Sequence, residues 1–72
     1  MRIRISDPAL LGDLCDHLSR QGCVAVEAGA EEANVLIPGA RSPFEAAMMV
    51  MTEIDLWRLK QASVTVSVQP DA

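Results

Sequence analysis

The sequence has no tyrosine, one phenylalanine and one tryptophan. A sheet that stacks nucleobases needs aromatic side chains on its face. The two aromatics here, Phe44 and Trp57, fall in one helical segment instead, so RNA binding is disfavoured. Positive charge is scarce as well: six lysines and arginines stand against ten carboxylates, a net charge of −4. That balance argues against nucleic acid and against anionic membranes as partners. One histidine and two cysteines distant in sequence do not make a closed tetrahedral metal site within one chain. There is no Cys-x-x-Cys pair, no glycine-rich phosphate loop and no carboxylate pair at a defined site, so neither a cofactor nor catalysis is expected. The longest apolar run, Ala46 to Met51, falls far short of a bilayer span. The N-terminus alternates apolar and charged residues, Met1-Arg2-Ile3-Arg4-Ile5, rather than opening on the apolar run of a signal peptide. The expectation is a cytoplasmic protein with reduced thiols.

What the chain does have is apolar residues, half of its 72, enough for a folded core. That length predicts a single domain, 1–72. A domain so small buries only about 60% of its unfolded surface, and self-association is an ordinary way to add stability at this size.

The order of hydrophobic periods outlines the fold. Met1, Ile3 and Ile5 alternate with Arg2 and Arg4 as a strand does. Asp7-Pro8 is a helix start, with a capping carboxylate and a proline in the first turn. Leu10, Leu11, Leu14, Cys15 and Leu18 form one apolar stripe, and Gly22 ends that helix. Asp13 and His17, and Asp16 and Arg20, are spaced four apart as helix-surface pairs. Gly12, in mid-helix, has no account at this level. Cys23 to Ala28 reads as a second strand with Val24 and Val26 inward. A turn at Gly29-Ala30-Glu31-Glu32 leads to a third strand, Ala33 to Ile37, with Val35 and Ile37 inward. Ser42-Pro43-Phe44-Glu45 is a capping box that opens a helix expected to reach about Gln61. Val64, Val66 and Val68 alternate with Ser63, Thr65 and Ser67 in a last half-buried strand, which Pro70 ends. The class is α+β, with a four-stranded antiparallel sheet and two helices on one face.

The order β-α-β-β-α-β resembles the ferredoxin-like superfold, a two-layer sandwich whose usual sheet order is 4-1-3-2. The stretch Ile5-Ser6-Asp7-Pro8-Ala9-Leu10-Leu11, running on to Gly22-Cys23-Val24, resembles the first half of an ACT domain over about 25 residues. That resemblance implies a regulatory module holding a small metabolite near Asp7, Ala9, Leu11 and Gly22. The turn glycine that lets a ligand approach the backbone in amino-acid-binding ACT domains is Ala9 here. Small bacterial proteins also look like this chain, a likeness that implies no activity.

Other candidate groups have plain structural readings. Cys15 lies in the helix stripe and Cys23 at a strand start. Seven helical residues between Cys15 and Gly22 rise about 10 Å, beyond the roughly 7 Å a disulfide allows, so both read as small buried apolar residues. His17 with Asp13 reads as a surface ion pair. Arg2 and Arg4 project from the open sheet face toward solvent, toward Glu27 or toward an anionic ligand. The second helix departs from the usual pattern. Ala47, Val50, Met51, Ile54 and Trp57 share the face expected to cover the sheet, yet Met48, Met49, Leu56 and Leu59 lie nearly opposite, where a one-sided helix should be polar. Its end, at Leu56, Trp57 and Leu59, is expected to overhang the sheet. Either the first helix covers part of this stripe, or the stripe is a contact surface. The favoured function is a non-enzymatic interaction module, a homodimer or a subunit with a protein partner, using Met48, Met49, Leu56, Trp57 and Leu59. The alternative is the ACT-like metabolite-binding module.

Overall fold

Ile3 and Ile5 alternate with Arg2 and Arg4 along β1 (Arg2–Ile5), and the isoleucines are shut from solvent while the arginines stay exposed. This alternation sets the two faces of the sheet. The computed structural model describes residues 1–61 and 63–69, and the expected strand stop at Pro70 lies outside them. After β1 a short 3₁₀ turn, Pro8–Leu10, leads into α1 (Leu11–Arg20), and β2 (Val24–Glu27) and β3 (Glu32–Leu36) follow. The chain then forms α2 (Pro43–Arg58) and β4 (Val66–Gln69). The class is α+β: four antiparallel strands in one open sheet and two helices. β3 and β1 are central, and β2 and β4 are the edges.

Both expected caps form, but the first closes the 3₁₀ turn at Pro8–Leu10, and α1 itself starts at Leu11 without a side-chain cap. Asp7 Oδ1 accepts from Ala9 N at 3.0 Å, and Ser42 Oγ accepts from Glu45 N at 3.1 Å. Each satisfies an amide that the helix leaves unpaired. α1 ends in a Schellman motif: Cys23 N donates to Leu18 O, and Gly22 N to Ser19 O. Gly22 takes a φ of 88° there, a left-handed conformation that glycine adopts without a Cβ clash. α2 stops sooner than expected. No breaker stands at its end, but the amides of Lys60 and Gln61 bond three residues back, to Trp57 O and Arg58 O, so the last turn tightens and unwinds before Gln61.

One core joins the layers. Leu11, Leu14, Cys15 and Leu18 of α1 and Ala47, Val50, Ile54 and Trp57 of α2 pack over Ile3, Ile5, Ala33 and Val35. Val64 is buried just before β4, and Val66 and Val68 are only half-buried on that edge strand.

Two expected orientations are corrected. Val24 and Val26 point away from the helices, 46% and 59% exposed, and Cys23 and Ala25 point inward. The register decides this: Ala25 sits opposite the buried Val35, while Val24 faces Leu36 and Val26 faces Asn34 on the open side. Met51, expected to cover the sheet, is 48% exposed. The buried residues of α2 span a narrow arc, and Met51 lies about 100° of helix rotation from Val50, outside it.

Candidate functional site

α1 is amphipathic, but α2 carries apolar residues well beyond its core-facing side, so one side of it fills the core and the other apolar residues meet solvent. Phe44 and Leu59 are 75% and 82% exposed, and Met48, Met49, Met51 and Leu56 are about half exposed. At about 100° per residue, Phe44, Met48 and Met51 form one row with Leu59 at its C-terminal end. Met49 and Leu56 form a second row on the side nearer α1. Between them stands Thr52, whose hydroxyl donates to Met48 O at 2.9 Å and is therefore turned to its own helix. α1 does not cover Met48, Met49, Leu56 or Leu59, since all four stay exposed.

Trp57 does not belong to this surface. It is 2% exposed, and its indole N–H donates to Asp13 Oδ2 at 2.7 Å. At Trp57 the C-terminal end of α2 is therefore closed against α1, while Leu56 and Leu59 of the same end stay exposed. Asp13 is thus not the partner of His17: His17 Nε2 lies 3.2 Å from Glu53 Oε2. Both α1 side chains face α2, and cross-helix partners in a partly buried seam prevail over the local i,i+4 spacing, because desolvated polar atoms need partners. Asp16 and Arg20 form no ion pair among the described residues. The missing signal was long-range, since 44 residues separate Asp13 from Trp57.

The open face of the sheet is mixed. Arg2 pairs with Glu32 at 3.8 Å, and Arg4 reaches Glu31 and Glu32 at 3.7 and 3.8 Å. These are long, exposed pairs of small energetic weight. Glu27 is not their partner. It shares the inward parity of Ala25 on β2, so it stands on the helix side of the sheet while the arginines stand on the other. Val24, Val26 and Leu36 form a smaller apolar patch beside the arginines.

The residues of the alternative ligand turn are not brought together. Asp7 and Ala9 sit at the N-terminal end of α1, Leu11 is buried in the core, and Gly22 lies beyond the C-terminal end. A ten-residue helix, about 15 Å long, separates the two ends. Gly22 lines a separate open cleft of about 440 Å³, with Cys23, Ile37, Met49 and Glu53 among its walls.

Both thiols are free and poorly suited to nucleophilic work. Burial pushes Cys15 up from the ordinary thiol range, with Glu27 and Asp16 adding to it. Burial also pushes Cys23 up, helped by Glu53. Each is therefore held as the neutral thiol near pH 7. Among the described residues, no group of three or more histidines, cysteines and carboxylates is placed to hold a metal ion, and no helix is long and apolar enough to cross a membrane. The chain matches no family model, no curated protein and no solved structure.

Proposed function

We propose that this chain is a non-enzymatic protein-interaction module that self-associates through the outer surface of α2. One observation carries the reading. Phe44, Met48, Met49, Met51, Leu56 and Leu59 are all exposed on a single helix and its C-cap, while the opposite side of the same helix fills the core. Single exposed apolar residues are ordinary, but a contiguous methionine-rich surface is characteristic of contact sites. A second copy suits it because a two-fold axis lets the same stripe face itself. The competing surface, Val24, Val26 and Leu36 on the sheet, is smaller and is bordered by charged residues. The scaffold behind the α2 surface reads as a ferredoxin-like sandwich, which the strand order β2-β3-β1-β4 supports.

Sedimentation equilibrium separates the two surfaces. Met48→Glu should shift the mass toward monomer at micromolar concentration with circular dichroism unchanged, while Leu36→Glu should leave it alone. The opposite pattern moves the interface to the sheet.

The metabolite-binding reading retains support only at the Gly22 cleft, where a cavity exists. A thermal shift with an amino acid or nucleotide, lost on filling the cleft with Met49→Trp, is its test.

A further inference from the structure

The charges that flank the apolar row of α2 decide how two copies meet. Phe44, Met48, Met51, Asp55 and Arg58 are spaced four, three, four and three apart, the repeat that gives a straight seam along one side of a helix. Glu45 lies beside its N-terminal end. In a parallel pair, Glu45 would approach Glu45, Asp55 would meet Asp55 and Arg58 would meet Arg58. Like charges in register are unfavourable, and the two helix dipoles would also be aligned.

Resting on the self-association proposed above, we infer that the two copies bind with α2 antiparallel to α2, on a two-fold axis passing near Met51, the middle of the seam. This arrangement sets Arg58 of one copy beside Phe44 and Glu45 of the other, twice by symmetry. Each arginine then meets an aromatic face and a carboxylate in place of another arginine. Asp55 falls opposite Met48, three residues before Arg58 of its own helix. The size of the contact bounds its strength. α2 has 16 residues, so it is about 24 Å long. One helix pair of that length falls short of the roughly 800 Å² per partner of a standard interface, which places the contact in the size class of transient associations.

Cysteine pairing tests the orientation. Met51→Cys lies at the axis and should form a disulfide-linked dimer under oxidised glutathione. Phe44 is seven residues away, about 10 Å along the helix. Two copies of Phe44→Cys would thus stand about 20 Å apart, far beyond the roughly 7 Å a disulfide spans, and should not link to each other. A mixture of Phe44→Cys and Leu59→Cys should give the mixed dimer. The wild-type protein, whose two thiols are buried, is the control. If Phe44→Cys links to itself as readily as Met51→Cys while the wild type sediments as a dimer, the orientation is parallel and this inference fails with the self-association intact. If no variant links and the wild type remains monomeric, both fail.

Discussion

The indole N–H of Trp57, near the end of α2, donates to the carboxylate of Asp13 in the first turn of α1 at 2.7 Å. This bond joins the two helices at one point, and His17 with Glu53 joins them at another. Both helix surfaces are therefore fixed before any partner arrives. Asp13→Ala leaves a largely buried donor without a partner and should cost about 1–3 kcal/mol. Trp57→Ala removes the bond and a large part of the core and should cost about 3–5 kcal/mol. Urea denaturation followed by far-ultraviolet circular dichroism measures both. Equal costs would mean that Trp57 packs loosely.

The centre of the sheet should respond more than its edge. Ile3 has no exposed surface on a central strand, while Val66 is half-buried on an edge strand. Ile3→Ala should lose about 2–5 kcal/mol, and Val66→Ala about 1 kcal/mol or less, since less apolar area leaves water. A larger loss at Val66 in the same denaturation assay would place the core closer to β4.

Two glycines should behave oppositely. A Cβ on Gly12 would meet nothing within 4 Å, and the residue lies inside α1, so Gly12→Ala should stabilise by about 0.4–1 kcal/mol. Gly22 also has open space around it but holds φ at +88°, so Gly22→Ala should destabilise by about 1–2 kcal/mol. Thermal melts of the two variants give the signs directly.

The thiols give a pH dependence. Burial holds Cys15 and Cys23 above the ordinary thiol range in the folded state. Above about pH 8.5 an unfolded thiol ionises while the folded one keeps its proton. The unfolded state then binds fewer protons, and stability falls as pH rises. The contribution is fully present below that pH. The melting temperature should therefore drop as pH rises above about 8.5, and less so in Cys15→Ala. At pH 8, Ellman's reagent should react with the native thiols at least about tenfold more slowly than with the unfolded chain.

The elements legible in the sequence were those with a clean period or a cap: the alternation of β1, the stripe of α1, Ser42 with Glu45, and the glycine at position 22. β2 was legible as a strand but not in its facing. Cys23-Val24-Ala25-Val26 is apolar on both sides, and only pairing with Val35 selects Ala25 as the inward residue. α2 was ambiguous for the same reason. A helix with apolar residues on several sides does not say which of them are inside: Met51 was expected in the core and is exposed, while Trp57, expected both on the sheet-covering face and at the contact surface, is buried. The partners of Asp13 and His17 lay beyond reach because both belong to a helix packed far along the chain. The excess of apolar residues on α2 was visible early, and the structure leaves Met48, Met49, Leu56 and Leu59 exposed while adding Phe44 and Met51 to them.

The most direct measurement of the central claim is sedimentation velocity of the wild-type protein from about 1 to 200 micromolar, alongside Met51→Glu. Self-association through α2 predicts a weight-average mass that rises from one chain toward two with concentration, and a Met51→Glu protein that stays at one chain with unchanged circular dichroism. A wild-type mass of one chain throughout, or a dimer that Met51→Glu leaves intact, would contradict it.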